Sequence, residues 1–435
     1  MIELQNEAST KAFLVGLDTG AIEDMDYALA ELGALAEAAG MVVVGQSVQR
    51  LPVMNKALYI GSGKTEEIKL AARELQADII LFDDSLSPSQ LRNLQDELEL
   101  PVMDRSILIL NIFAGRAVTR EAKLQVEVAR LQYMLPRLAG LHKALSRQGG
   151  GSGAMSNKGA GETKLELDRR YLEQRLTALK RELKTVARER ETQRKARSKS
   201  GKLRIALVGY TNAGKSTLMN ALLDYAADGS ADTEKKVMEK DMLFATLDTT
   251  VREIAREGHN PFLLSDTVGF VSRLPHMLVE AFHSTLEEAM EADLLLQIVD
   301  ASDEHAKEQM EVTARTLKEL GAEKIPMVVV MNKSDLVRDP ATLPILKKEE
   351  HGGMIYLSAK QKIGLEELLD YIEEELSDGF ATETFLIPFT EGQVVDYLTR
   401  EGTVLSTEYL AEGTKLQVKC KIADRDRYQA YICES

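Results

Sequence analysis

The chain has 435 residues, 44% of them apolar and 28% charged, and a formal net charge of −15. That length exceeds one ordinary core and implies about two to four domains, while the acidic balance excludes a protein that is basic all over. No run of about 18 apolar residues occurs, so no membrane span is expected, and Met1–Glu7 lacks the basic start of a signal peptide. Cys420 and Cys433 are the only cysteines. They are too few for a disulfide framework or a zinc site, which predicts a reducing, cytoplasmic location, with peripheral membrane association as the alternative.

Residues 1–117 read as an α/β domain. Apolar runs at 13–15, 41–44, 57–60 and 79–82 predict strands, and amphipathic stretches at 23–38, 65–76 and 88–98 predict intervening helices, hence a mostly parallel sheet. Residues 118–200 differ. Leu124, Val128, Leu131, Leu135 and Leu138 repeat at 4-3-4-3, and so do Leu172, Leu176, Leu179, Leu183 and Val186. Such stripes mark a coiled-coil seam, and two of them predict an antiparallel helical hairpin. Between them, residues 149–161 hold six glycines and predict a loop at the hairpin tip, with Lys158–Gly161 inside it. Pro136 is expected to kink or end the first helix. Residues 169–202 hold thirteen Lys or Arg and four Asp or Glu, a net of +9, so the remainder carries −24. A basic block in an acidic chain predicts one local anionic contact, and a glycine-tipped basic hairpin favours RNA over a merely solvated face.

Residues 201–378 alternate strands and helices, with apolar strands at 205–208, 262–264, 294–299, 327–331 and 354–357. Residues 379–435 predict a small α+β domain: a strand near 385–389, a helix at 391–400, and strands at 403–411 and 414–423.

The chemistry is concentrated in 201–378. Gly209-Tyr210-Thr211-Asn212-Ala213-Gly214-Lys215-Ser216 has the spacing G-x-x-x-x-G-K-S between a strand and a helix. In that context glycines let backbone N–H groups close around phosphate oxygens, lysine reaches the β- and γ-phosphates, and serine ligates Mg²⁺. Asp266-Thr267-Val268-Gly269 follows a strand; the aspartate holds Mg²⁺ through water and the Gly269 N–H senses the γ-phosphate. Asn332-Lys333-Ser334-Asp335 follows another. The Asp335 carboxylate can accept from guanine N1–H and its exocyclic amine, Lys333 packs over the base, and Asn332 ties this loop to the phosphate loop. In Ser358-Ala359-Lys360 the Ala359 N–H is placed for the guanine oxygen. Phe244-Ala245-Thr246-Leu247-Asp248 lies between the first two motifs and supplies Thr246 to the Mg²⁺ shell. The ordered set predicts a GTPase, with Lys215 and Gly269 catalytic.

Two details qualify this pattern. Phe270 stands where many GTPases place a glutamine that orients the attacking water, so slow intrinsic hydrolysis is expected. Asn212 is a candidate K⁺ ligand, because in GTPases with a G-x-x-N-x-G-K-S loop that asparagine helps to bind the ion. Gly61-Ser62-Gly63-Lys64-Thr65 resembles the end of a second phosphate loop, but Leu58 replaces its first glycine, and a turn leading into a helix is the favoured reading.

These motifs, with Gly159–Arg170 and Tyr59–Lys64, resemble the HflX family of ribosome-associated GTPases in the Obg–HflX group, over nearly the whole chain. Ala154-Met155-Ser156-Asn157 departs from that family's tighter linker pattern. The resemblance implies a P-loop GTPase domain between a helical hairpin and a small C-terminal domain. It also implies GTP hydrolysis with Mg²⁺, binding of the monomer to the large ribosomal subunit and its rRNA, and splitting or rescue of stalled ribosomes under heat or other stress. The alternative within that reading is a large-subunit assembly or hibernation factor that uses GTP to time its release. A signalling GTPase with a protein partner is the third reading, and the basic hairpin disfavours it.

Overall fold

The computed structural model describes residues 9–20, 24–148, 158–198, 202–227, 243–244, 247, 249–256, 259–275, 283–337, 346–349, 352–377 and 380–433. The chain divides into two compact units. One comprises residues 1–185 with 240–248 and 272–284, the other 186–239, 249–271 and 285–435.

The first unit contains the parallel sheet. Its strands are β1 (Lys11–Asp18), β2 (Val42–Arg50), β3 (Ile79–Phe82) and β4 (Val102–Asp104), in the order β2-β1-β3-β4. Helices α1 (Met25–Ala38), α2 (Ser62–Glu74), α3 (Pro88–Leu98) and α4 (Arg105–Arg116) alternate with them. Phe13, Val15, Ile80 and Phe82 of the sheet bury against Ile68, Ala72, Leu94 and Leu98 of the helices. The start of α3 is set locally: Ser87 and Gln90 form a capping box and Pro88 occupies the first turn.

The strand expected at 57–60 is instead a turn. Asn55 Oδ1 accepts from the N–H groups of Ala57 and Leu58, and Tyr59 adopts φ 67°. A short polar side chain that captures backbone donors competes with sheet pairing and wins here.

Helices α5 (Arg120–Gln148) and α6 (Lys158–Ser198) form the hairpin. Arg120 pairs with Glu182 at 2.6 Å and Arg175 with Glu127 at 3.0 Å, so one step forward on α5 is one step back on α6, as an antiparallel pair requires. Leu124, Val128, Leu131 and Leu179 of the two stripes are buried. Pro136, where a kink or an end is expected, does not end α5, which runs on to Gln148; a proline removes only one ladder donor, and helix on both sides carries the chain through. One expectation fails. Lys158–Gly161 is not loop but the first turn of α6, where the backbone N–H groups lack intrahelical partners in any case. Residues 149–157 lie outside the described residues.

This unit also holds a buried charge network. Arg105, 2% exposed, donates to Asp83 at 2.8 Å, to Glu31, and to the Ser272 carbonyl and hydroxyl at 3.1 Å, while Arg273 pairs with Asp83 and Asp84. Burial pushes the Asp83 carboxyl up, against the pull of Arg105 and Arg273. Guanidinium forks suit such pairs because they satisfy several acceptors at once.

The second unit is built on a seven-stranded sheet. Its strands are β5 (Leu203–Gly209), β6 (Thr250–Ile254), β7 (Phe262–Asp266), β8 (Leu294–Asp300), β9 (Met327–Asn332), β10 (Leu346–Glu349) and β11 (Gly352–Tyr356). The order is β10-β11-β9-β8-β5-β7-β6, parallel except at both edges, where β6 and β10 run antiparallel to their neighbours. Helices α7 (Lys215–Ala226), α8 (His283–Met290), α9 (Ala306–Glu319) and α10 (Leu365–Ser377) intervene. Because β5 and β8 are covered on both faces, they read as continuous apolar runs, with Ile205, Ala206, Leu207, Val208, Leu295, Leu296 and Ile298 buried, whereas β9 buries Val328 and Val330 and leaves Val329 and Met331 partly covered.

The same unit ends in a three-stranded antiparallel sheet, order β12-β14-β13: β12 (Phe380–Ile387), β13 (Thr403–Leu410) and β14 (Gly413–Lys421). Val394 and Leu398 of helix α11 (Gly392–Glu401) pack on Phe385, Ile387, Leu416 and Val418, and a short α12 (Ile422–Arg427) follows. Among the described residues no helix is long and apolar enough to cross a membrane.

Candidate functional site

The carboxyl ends of the parallel strands β5, β7, β8 and β9 lie side by side, and the loops that leave them form the site. This is where open parallel sheets place their ligands. Strand β5 runs into residues 209–214 and then directly into α7. Gly209 has φ +140° and Gly214 φ +95°. A Cβ on Gly209 would lie 2.2 Å from the Ile298 carbonyl oxygen, and one on Gly214 would lie 2.2 Å from Asn332 Nδ2. Both positions therefore need glycine on conformational and steric grounds. Asn212 adopts φ 60° with its side chain exposed, and Ala213 is buried.

Lys215 is 7% exposed and its Nζ donates to the carbonyls of Tyr210 (2.7 Å) and Gly209 (3.1 Å). The loop thus holds the ammonium across its own mouth, at the N-terminus of α7, where a phosphate anion is favoured by both charge and dipole. Burial lowers the Lys215 pKa to about 8, with the Asp266 carboxylate opposing the shift.

The lowered pKa means that the free site loses its cation as pH rises through about 8. An anionic phosphate favours the charged form, so binding above that point must take up a proton. GTP affinity is expected to hold steady below about pH 8 and to fall above it, by as much as about tenfold per unit. A fluorescent-nucleotide titration from about pH 7 to about pH 9 checks this; a flat profile contradicts it.

Ser216 Oγ donates to Asp266 Oδ2 at 2.6 Å, which joins the first turn of α7 to the end of β7. Thr267 Oγ1 donates to the Leu207 carbonyl at 2.6 Å, and Val268 is buried. The Phe270 N–H donates to the Gly209 carbonyl at 3.0 Å and its carbonyl accepts from Thr211 N–H at 2.8 Å. These bonds press Gly269 onto the phosphate loop. A Cβ there would lie 2.8 Å from Thr211 Cα and 2.9 Å from Lys215 Nζ, so the backbone alone fits.

Asn332 closes the other side. Its Nδ2 donates to the Ala213 carbonyl at 2.9 Å and its Oδ1 accepts from the Ala359 N–H at 3.0 Å. One buried amide therefore links the loops after β5, β9 and β11. Lys333, at φ 59°, places its ammonium 2.7 Å from Asp300 Oδ2. Ser334 is buried, its N–H on the Leu357 carbonyl, and Asp335 sits in the single helical turn that follows. Gln361 Nε2 donates to Asp335 Oδ2 at 3.4 Å. Ser358 Oγ accepts from Gln361 N–H at 3.2 Å, and Lys360 is exposed.

The structure thus brings together residues 209–216, 266–269, 332–335 and 358–360. Phe244 and Leu247 belong to the first unit, where Phe244 is buried edge-to-face against Phe113 at 4.7 Å. Ala245, Thr246 and Asp248 lie outside the described residues. Sequence reasoning missed Asp300 and Gln361, which hold Lys333 and Asp335. The carboxylate at the end of the apolar run 294–299 was the available signal for the first.

Comparison with known proteins gives the family. Residues 26–114 match the family described as GTP-binding GTPase N-terminal, 116–197 the GTP-binding GTPase middle region, and 204–333 the 50S ribosome-binding GTPase. The chain is 43% identical over 401 residues to GTPase HflX of Caldanaerobacter subterraneus subsp. tengcongensis, covering 92% of this chain and 89% of that protein. It is 38% identical over 420 residues to GTPase HflX of Escherichia coli, covering 96% and 95%. A crystal structure of SsGBP with GDP aligns with a TM-score of 0.47 at 24% identity, over 85% of this chain and all of that one. With residues 209–216, Asp266 and the Asn332 bridge assembled at one sheet end, and with relatives of this identity along nearly its whole length, the chain belongs to the HflX family of GTPases and hydrolyses GTP.

Proposed function

We propose that this GTPase binds the large ribosomal subunit through its basic hairpin and uses GTP to split or rescue stalled ribosomes. The observation that carries the reading is the hairpin itself. Lys180, Arg181, Lys184 and Arg188 lie exposed along α6, with Arg169 and Arg170 beside Glu173 and Glu166 on the same helix, in a chain that is otherwise strongly acidic. A cationic stripe on a rigid pair of helices is suited to a phosphate backbone, where each neutralised phosphate releases counterions. The family description of residues 204–333 as a 50S ribosome-binding GTPase supports the same partner.

In this reading residues 209–216 cradle the GTP phosphates, Lys215 neutralises the β/γ charge, and Gly269 N–H reads the γ-phosphate. Asp335 selects guanine; the Ala359 N–H, expected to reach the guanine oxygen, instead donates to Asn332 Oδ1 at 3.0 Å and braces the loop beside the base. Ser216 and Asp266, two hard oxygen donors 2.6 Å apart beside the phosphate loop, fit Mg²⁺ and not a softer metal. Ser216 would hold the ion directly and Asp266 through water, with Thr246 joining when a γ-phosphate is present. The ion supplies charge neutralisation on the transferring phosphoryl group. The γ-phosphate orders the segments around Thr246 and Gly269, and its loss on hydrolysis releases them; a switch of that kind converts nucleotide state into affinity for a partner.

The test is sucrose-gradient sedimentation of purified 70S ribosomes with this protein and GTP or a non-hydrolysable analogue. Separation into subunits is expected. Binding to free large subunits alone would replace splitting with an assembly or hibernation role.

Asn212 is the proposed ligand of a K⁺ ion that adds positive charge at the β/γ-phosphates. Hydrolysis is then expected to run about tenfold or more faster in KCl than in NaCl at equal ionic strength. Equal rates would remove K⁺ from the mechanism.

A further inference from the structure

The HflX motif set leaves one step without an agent. Phe270, buried beside the loop, carries no group that could orient a water molecule. The hydroxyls nearby are committed: Ser216 Oγ donates to Asp266, and Thr267 Oγ1 donates to the Leu207 carbonyl. Thr211 is different. It is 7% exposed and its N–H donates to Phe270, yet its Oγ1 is buried with no hydrogen-bond partner. Buried hydroxyls are nearly always satisfied, so this one needs an explanation.

Its position supplies one. The point 2.8 Å from both Thr211 Cα and Thr211 Cγ2 is the Cβ position built on Gly269, and that point is 2.9 Å from Lys215 Nζ. Thr211, Gly269 and the Lys215 ammonium therefore converge at one place, the end of the loop where the γ-phosphate is read. A single χ1 step exchanges the threonine methyl and hydroxyl on the Gly269 side, with the backbone held by the Phe270 bonds.

We propose that the Thr211 hydroxyl orients the attacking water in this GTPase, a role that rests on the GTP site described above. Its Oγ1 accepts a hydrogen bond from the water and its own proton is donated to a γ-phosphate oxygen. The water oxygen forms a bond to Pγ, and the bond from Pγ to the β–γ bridging oxygen breaks. That electron pair stays on the GDP β-phosphate, and the water proton ends on the released inorganic phosphate. Threonine neither gains nor loses a proton in the balance. It acts by position and not as a base, consistent with a hydroxyl that would ionise only far above neutral pH.

The experiment uses the full chain with saturating Mg²⁺ and K⁺, and measures single-turnover GTP hydrolysis and fluorescent-GTP affinity separately. Thr211→Val keeps shape and removes the hydroxyl; Thr211→Ser keeps the hydroxyl and removes the methyl. Valine is expected to slow hydrolysis about 10- to 100-fold, the worth of one hydrogen bond to a charged group, with affinity within about threefold of wild type. Serine is expected to recover most of the rate. Valine hydrolysing at the wild-type rate, or valine and serine equally slow, overturns the proposal. Thr211→Ala serves as the hydroxyl-free variant if valine does not fold. Wild-type protein that fails to bind GTP would instead defeat the underlying site, so the two failures are distinguishable.

Discussion

Replacing Lys215 with alanine is expected to slow GTP hydrolysis at least about 10²- to 10³-fold, the loss that follows removal of one preorganised electrostatic group from a phosphoryl- or acyl-transfer site. The reason is specific to how this lysine is held. Its ammonium is buried and fixed by two loop carbonyls, those of Gly209 and Tyr210, so it needs no reorganisation when charge spreads over the β- and γ-oxygens. Alanine removes that cation and with it the two hydrogen bonds that the ammonium gives the Gly209 and Tyr210 carbonyls. Arginine is not a substitute: its planar fork is larger than the ammonium and cannot occupy a space closed by Gly269, where even a Cβ would come within 2.9 Å of Nζ. Single-turnover rates at saturating GTP separate this effect from weakened binding. A rate within about tenfold of wild type would mean that the main cation at the γ-phosphate lies elsewhere.

How far the sequence could be read depended on the range of the interactions involved. Strand β3 and helix α3 were legible to the residue, because a four-residue apolar run and an amphipathic stretch are local signals. The antiparallel hairpin was legible from two heptad stripes. The placement of residues 209–216, 266–269, 332–335 and 358–360 was legible for a related reason: these stretches are short, and each follows an apolar strand whose direction is fixed by the parallel sheet. What failed were places where one side chain or a distant partner overrides a pattern. Asn55 turns 57–60 out of the sheet by binding two backbone donors. Strand β4 has three residues, too few for any periodicity. The buried network of Arg105 was invisible, since Glu31, Asp83 and Arg273 are far apart in sequence and each alone reads as a surface charge. For the same reason nothing local indicated that residues 240–248 and 272–284, which flank the switch motifs, belong to the unit of the N-terminal sheet.

The second large effect expected is a change of nucleotide at Asp335. The carboxylate stands in a helical turn anchored by the Ser334 N–H on the Leu357 carbonyl, behind a left-handed Lys333 that is itself fixed on Asp300. Gln361 holds Asp335 Oδ2 at 3.4 Å. The group is thus an acceptor pair on a restrained backbone, suited to the two donors of guanine, N1–H and the exocyclic amine. Asparagine keeps the shape but turns one acceptor into a donor. Against guanine, that donor meets the exocyclic amine, so one hydrogen bond is lost and two hydrogens are opposed. Against xanthine, whose C2 carries an oxygen, the same donor is matched. Asp335→Asn is therefore expected to weaken GTP binding roughly 100-fold or more, since sites built to pair polar groups discriminate strongly when one is left unpaired. XTP is expected to become the better substrate, with hydrolysis itself intact because residues 209–216 and Gly269 are untouched. Competition of GTP, XTP and ATP for the variant, with melting temperature as the check on folding, measures this directly. Unchanged preference for GTP over XTP in a folded variant would remove Asp335 from base recognition. Loss of all three nucleotides would instead place it in the support of the phosphate loop, through the Asn332 bridge to Ala213 and Ala359.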